Sequence, residues 1–258
     1  MIDAVAGAIV LAAGLVVAAA SALRPPRSER VERAGASALL GAGVQHAAYR
    51  FLQPLGRGLA RAGVSANVVT LASLPFGGAA AWAVATGHYG LAAVLAGISY
   101  ACDALDGIVA RSSGTASAVG EVLDAACDRI CEASMLGGVA FAWRGSPLLL
   151  ALALAAGLGA EQVTLASAKA EAFPAVSERV PRGMMRRAER AAYFVGAAAL
   201  GGVLLDTLPP GAAPTGARIP LVVSMLLIAV VGNASALQRL GALARALRAH
   251  HPVTRAGD

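Results

Sequence analysis

Of the seven aspartates in this 258-residue chain, four (Asp103, Asp106, Asp124 and Asp128) fall in one short segment. Asp103 and Asp106 stand three apart and Asp124 and Asp128 four apart, so each pair occupies one face of a helix. Both helices are apolar, and the polar turn Ser112-Ser113-Gly114-Thr115-Ala116-Ser117 joins them and makes them antiparallel. Measured from that turn, Asp106 and Asp124 lie at similar depths, with Asp103 and Asp128 a turn deeper at ~1.5 Å per residue. A single carboxylate quartet is therefore expected. Four like charges packed together repel, and Arg111 and Arg129 are too few and too near the edges to neutralise them. Hard divalent cations suit the cluster better: two Mg²⁺ or Mn²⁺ ions, with positions left open for phosphate oxygens. Gly107, Ala110 and Gly120 lie beside the acids and leave room for a ligand to approach. That arrangement points to phosphoryl transfer. Interhelical hydrogen bonds, or the ion path of a channel or metal transporter, are the alternatives.

The helices that position these acids belong in a bilayer. Hydrophobic residues make up 57% of the chain and charged residues only 14%, beyond the roughly 45–50% and about 25% of soluble domains. About 20 consecutive apolar residues span a membrane, and seven stretches qualify: Ala4–Leu23, Val68–Thr86, Leu91–Arg111, Ala118–Trp143, Leu148–Lys169, Ala191–Leu208 and Ile219–Leu237. Between Ser37 and Arg61 the apolar positions Leu40, Val44, Ala47, Phe51, Leu55 and Leu59 recur at helical spacing, with Arg50, Arg57 and Arg61 on another side. This predicts an amphipathic helix lying in the membrane interface, bent at Pro54. The expected organisation is an N-terminal transmembrane helix and basic linker (1–35), the interfacial helix (36–65), a six-helix catalytic transmembrane domain (66–240) and a basic cytoplasmic tail (241–258).

The net charge of +6 would suit nucleic acid, but the basic residues cluster between apolar runs and share no soluble face. No nucleic-acid partner is expected. Placing the N-terminus outside and alternating the spans leaves only Arg144 and Arg218 of the 21 Lys and Arg residues on the outer side. The positive-inside rule thus sets the orientation, with the Arg111–Ala118 turn, the Ala170–Arg190 loop and the tail (Arg239, Arg245, Arg248, Arg255) in the cytoplasm of a multi-pass cell-membrane protein. Ala20-Ser21-Ala22 resembles a signal-peptide cleavage site, yet the chain opens Met-Ile-Asp without basic residues, which favours an uncleaved helix. Cys102, Cys127 and Cys131 sit inside apolar runs and read as buried thiols, not as a disulfide framework or zinc site.

The order Asp103-x2-Asp106-Gly107-x2-Ala110-Arg111-x8-Gly120-x3-Asp124-x3-Asp128 resembles the complete signature of the CDP-alcohol phosphotransferase (phosphatidyltransferase) family. The resemblance covers about residues 67–240 and leaves the first helix as an addition. It implies an all-α six-helix transmembrane bundle, a homodimer, and transfer of a phosphoalcohol unit from a CDP-alcohol such as CDP-diacylglycerol to a second hydroxyl with release of CMP. It makes Asp103, Asp106, Asp124 and Asp128 ligands of two Mg²⁺ or Mn²⁺ ions, with Asp128 also the general base. Gly107, Ala110 and Arg111 would seat the CDP group together with Asp103 and Gly120. Asn67 and Thr70, at a helix start on the inner face, match an Asn-x-x-Thr of relatives near the nucleotide, although simple capping accounts for them equally.

The run Leu123-Asp124-Ala125-Ala126-Cys127-Asp128-Arg129-Ile130 is similar to the phosphatidylinositol-phosphate synthase branch, whose acceptor is inositol phosphate. Arg187 and Arg190 match basic positions of that branch, and with Lys169 they form the expected acceptor-binding cluster, since cations suit an anionic acceptor. Where that branch carries two basic residues spaced by one, this chain has Ser167 and Lys169. Glycerol-3-phosphate and phosphatidylglycerol, the acceptors of phosphatidylglycerophosphate and cardiolipin synthases, remain the alternatives within the family. Glu132 continues the Asp124, Asp128 stripe and either supports the metal shell or bonds another helix. Glu161, deep in its span, is a functional candidate with no partner evident in the sequence.

Overall fold

The computed structural model describes residues 1–22, 41–177, 179–181 and 183–250. Arg24, Arg27, Arg30 and Arg33, the start of the predicted interfacial helix and the last residues of the tail lie outside them. The described chain is helical: α1 (Ile2–Ala22), α2 (Gly41–Arg61), α3 (Ala66–Ala85), α4 (Tyr89–Ser113), α5 (Ala118–Ala142), α6 (Pro147–Glu171), the short α7 (Pro174–Ser177), α8 (Arg187–Thr207), α9 (Ala213–Leu227) and α10 (Asn233–His250). A π-turn at Ile228–Gly232 fuses α9 and α10 into one 38-residue rod. Six stretches among the described residues are long and apolar enough to cross a membrane: α1, α3, α4, α6, α8 and that rod. The seventh expected span, α5, is long enough at 25 residues, but it carries Glu121, Asp124, Asp128, Arg129 and Glu132. The chain is a multi-pass membrane protein.

Helix limits follow from local chemistry. Ser65 caps α3 by accepting from the Val68 amide, and Ser117 caps α5 by accepting from the Gly120 amide. Gly114, at φ 67°, takes the left-handed conformation that ends α4 and turns the chain back into α5. The core is largely alanine, including Ala80, Ala83, Ala92, Ala96, Ala156, Ala160, Ala198 and Ala217. In lipid there is no hydrophobic drive between helices, and small residues let backbones approach closely enough for dispersion to hold them. At Gly77 of α3 an added Cβ would lie 2.8 Å from Cys131 Sγ of α5.

This packing gives α3 a central place. It lies against both α4 and α5, which touch each other only slightly, so the two acidic helices are registered through α3. The added helix α1 docks on α4 and α8. The Asp3 carboxylate accepts from the amides of Gly90 (2.9 Å) and Leu91 (3.2 Å) and lies 3.1 Å from His88 Nδ1. The Met1 ammonium and the Ala4 amide meet Asp206 at 2.5 and 3.0 Å. The beginning of α1 therefore lies at the end of the bundle opposite the quartet. The last span runs further than Leu237: α10 stays helical to His250. Its π-turn is held by Asn233 Nδ2, which donates to Ala155 (3.0 Å) and Ala229 (2.7 Å) carbonyls.

Candidate active site

The four predicted aspartates converge. Oxygens of Asp103, Asp106 and Asp124 lie within 4.8 Å of one another. Asp128 stands beside them, joined to Asp103 through Arg187 of α8, whose Nη1 is 2.6 Å from Asp103 Oδ2 while Nη2 contacts Asp128 Oδ1. Asp106 is 5% exposed and accepts a 2.6 Å hydrogen bond from Thr70 Oγ1 of α3. Asp124 Oδ1 is buried without a hydrogen-bond partner. An orphaned carboxylate oxygen in such a place costs free energy unless a cation reaches it. Three clustered carboxylates with one oxygen unclaimed fit a divalent ion of the Mg²⁺ or Mn²⁺ kind.

A cleft of about 490 Å³ opens from the quartet between α3, α4 and α5. Among its lining residues are Asn67, Thr70, Gly107, Ala110, Arg111 and Gly120, together with Asp106 and Asp124. These are the predicted nucleotide-binding residues, Asp103 lying just beyond them at the acidic end. The volume is that of ordinary small-molecule sites. Its walls are polar where the capped ends of α3 and α5 and the Gly114 turn expose amides and hydroxyls.

The predicted acceptor cluster is distributed differently. Arg187 reaches the quartet. Arg190, 2% exposed, sits a turn deeper, its Nε and Nη2 gripping both Glu132 oxygens at 2.5 and 2.8 Å and its Nη1 donating to the Met185 carbonyl at 2.7 Å. Lys169 is exposed at the end of α6. Glu132 thus bonds another helix, and it also meets Arg129 at 3.0 Å. Arg129 in turn bonds Thr164 at 2.7 Å and lies 3.6 Å from Glu161, the partner the sequence did not disclose.

The loop before α8 is held in an uncommon shape. Met185, fully buried, has φ 61°, a conformation costly for a residue with a side chain. Ser235 Oγ of α10 exchanges hydrogen bonds with the Met184 amide and carbonyl, both at 2.9 Å, and Arg190 secures the Met185 carbonyl. Those ties fix where α8 begins and hence where Arg187 points. Sequence reading assigned Arg239 to the basic tail, but it is 7% exposed, donates to Ser167 Oγ at 2.7 Å, and has no carboxylate partner among the described residues. The signal that marks it is position: Ser235, Ala236, Arg239, Leu243 and Ala246 form one buried stripe of α10.

Residues 64–232 match the family model described as CDP-alcohol phosphatidyltransferase. The phosphatidylinositol phosphate synthase of Mycobacteroides abscessus is 29% identical over 203 residues, covering 75% of this chain and 84% of that one. Its counterpart from Mycobacterium tuberculosis is 30% identical, covering 74% and 84%. The crystal structure of the Mycobacterium tuberculosis enzyme with CDP-DAG bound superposes with a TM-score of 0.59 at 27% identity, over 75% of this chain and 94% of that one. Its complex with manganese and citrate gives 0.60 at 28% identity, over 74% and 88%.

Proposed function

The chain belongs to the CDP-alcohol phosphatidyltransferase family, and we propose that it transfers the phosphatidyl group of CDP-diacylglycerol to the hydroxyl of an inositol phosphate, releasing CMP. The observation that carries this reading is the continuity of the cleft: nucleotide-sized space lined by Asn67, Thr70, Gly107, Ala110, Arg111 and Gly120 runs directly into the carboxylate cluster. The names of the relatives, and the CDP-DAG in one of their structures, supply the donor and the acceptor.

In this scheme the acceptor hydroxyl attacks the phosphorus that bears the diacylglycerol, the phosphoanhydride bond breaks, and CMP leaves. Asp128 takes the hydroxyl proton. Asp103, Asp106, Asp124 and Asp128 would hold the divalent ions, which when bound would supply charge neutralisation for the diphosphate. Arg187, placed between Asp103 and Asp128, presents a cation where the acceptor phosphate would meet the nucleophile's base. Of the other cations expected at the acceptor site, Lys169 is exposed at the end of α6 and is assigned to guiding the anionic acceptor, whereas Arg190 is held by Glu132 and supports the start of α8.

Arg-rich segments at the cleft end favour a cytoplasmic active site. Because α1 starts at the opposite end, the N-terminus then lies outside. A homodimer suits the outer face of α5 and α6: Glu161 is half exposed and Arg129 about a quarter exposed near mid-span, costly against lipid, and small residues such as Ala126, Ala133 and Gly137 surround them. The test is purified enzyme in detergent with CDP-diacylglycerol and a panel of inositol phosphate, glycerol-3-phosphate and phosphatidylglycerol, following CMP. Release with inositol phosphate alone is expected. Metal flux in proteoliposomes without CMP release would replace this reading with a transporter.

A further inference from the structure

The helix α2, expected to lie in the membrane interface, packs beside the cleft. Its inner face packs on α3 and α4 through a cluster that includes Tyr49, Leu52 and Leu59 against Val69, Leu105 and Ile108. At Gly56 the approach is close enough that an added Cβ would lie 2.5 Å from Ile108 Cγ2. One turn beyond Ile108 on α4 is Arg111, and a little under two turns before Gly56 on α2 is Tyr49. Arg111 Nη2 donates to Tyr49 Oη at 2.6 Å, and its guanidinium carbon lies 5.9 Å from the ring centre.

Resting on the reading of Arg111 as a donor-binding group, we propose that Tyr49 is a positioning residue for CDP-alcohol binding, holding the Arg111 guanidinium toward the cleft. Chemistry favours a phenol for this task. A carboxylate would orient an arginine more strongly, but it would also cancel the charge and compete with the donor diphosphate. A neutral hydroxyl takes one of the five guanidinium N–H groups and leaves the charge and the others for phosphate oxygens. No described carboxylate lies within ion-pair distance of Arg111, although Glu121 lines the same cleft. The ring is clamped by the apolar cluster, so its oxygen is fixed by packing on α2, and the interfacial helix sets the geometry of a group on the catalytic bundle.

The experiment is a cycle of Y49F, R111Q and the double variant in full-length enzyme, with kcat, KM for CDP-diacylglycerol, KM for the acceptor and melting temperature measured for each. Tyr49→Phe keeps the ring and removes only the oxygen. It should raise the donor KM about three- to tenfold, the scale of one ordinary hydrogen bond's net contribution, with kcat, acceptor KM and melting temperature unchanged. Arg111→Gln should raise the donor KM more, and the double variant should match it, because without the guanidinium Tyr49 has nothing to orient. If R111Q leaves the donor KM unchanged, the donor-binding role of Arg111 fails. If R111Q acts and Y49F does not, or their effects multiply in the double variant, the positioning role of Tyr49 falls while the site stands.

Discussion

The two ends of the bundle use the same side chain in opposite ways. At the end where α1 begins, Asp3 is buried, but its carboxylate accepts from two backbone amides and faces an imidazole, and Asp206 is met by an ammonium and an amide. At the other end four carboxylates crowd together with one arginine between two of them, and Asp124 Oδ1 has no partner. A carboxylate satisfied by the chain is part of the fold. One left wanting positive charge is reserved for something the chain does not supply, so the count of partners, more than burial, separates structural from chemical acids.

The comparison breaks most sharply through Asp128. Asparagine there would keep the size and one oxygen for metal but remove the proposed base, and a positioned proton acceptor contributes about 10²–10⁴-fold. Asp128→Asn is expected to lower kcat by that range while CDP-diacylglycerol still binds, measured by turnover and donor affinity side by side. Asp103→Asn should weaken donor binding as well as turnover. Mn²⁺ should raise the melting temperature of the parent enzyme and not that of Asp124→Ala, whereas Asp3→Ala should keep the full metal response. Equal metal responses in the two alanine variants would erase the distinction between the ends.

Between these extremes lies Glu132, a buried acid near the site that the chain satisfies completely. Breaking a buried ion pair costs about 3–5 kcal/mol because it strands the remaining charge. Glu132→Gln and Arg190→Gln should therefore lower thermal stability by similar, large amounts, seen as matched losses in melting temperature. A stable Arg190→Gln with only a raised acceptor KM would instead make Arg190 a ligand-facing cation.

Much of this site was legible in the sequence because acids are so improbable in apolar helices: spacing alone places Asp103, Asp106, Asp124 and Asp128 on facing sides of α4 and α5, and the Gly114 turn fixes their depth. Thr70 and Asn67 were legible as a helix start, though not Thr70's bond to Asp106. Long side chains were harder. Arg187, Arg190 and Arg239 all read as inner-face cations, yet one bridges the quartet, one is consumed by Glu132 and one is drawn beneath the loop toward Ser167. An arginine's reach of several ångströms leaves its partner to tertiary packing. The π-turn that carries α10 to His250 was likewise invisible, since it depends on Asn233 reaching Ala155 of α6.

At the far end the expected effect is on stability alone. Asp3→Ala leaves the Gly90 and Leu91 amides without their acceptor, a loss of about 1–3 kcal/mol, with kcat per folded enzyme unchanged. Measuring both on one preparation checks it. A fall in kcat at constant stability would mean that α1 communicates with the cleft through α4 or α8.

The smallest effect is expected at Lys169, and it sharpens the comparison within the acidic end itself. Lys169 is exposed, so its charge is screened and it gives up little on replacement. If it nonetheless guides an anionic acceptor, Lys169→Gln should raise the acceptor KM about two- to fivefold without touching kcat or the donor KM, the mark of lost ground-state binding. The rise should shrink as salt is added, because a solvated lysine acts through a screened field. Arg239→Gln should raise the same KM by more and with less dependence on salt, since its guanidinium is buried beside Ser167. Equal salt dependence for the two variants, or equal effects on both substrates, would make Lys169 a membrane anchor and Arg239 a structural group beneath the loop, and leave Arg187 as the acceptor's cation.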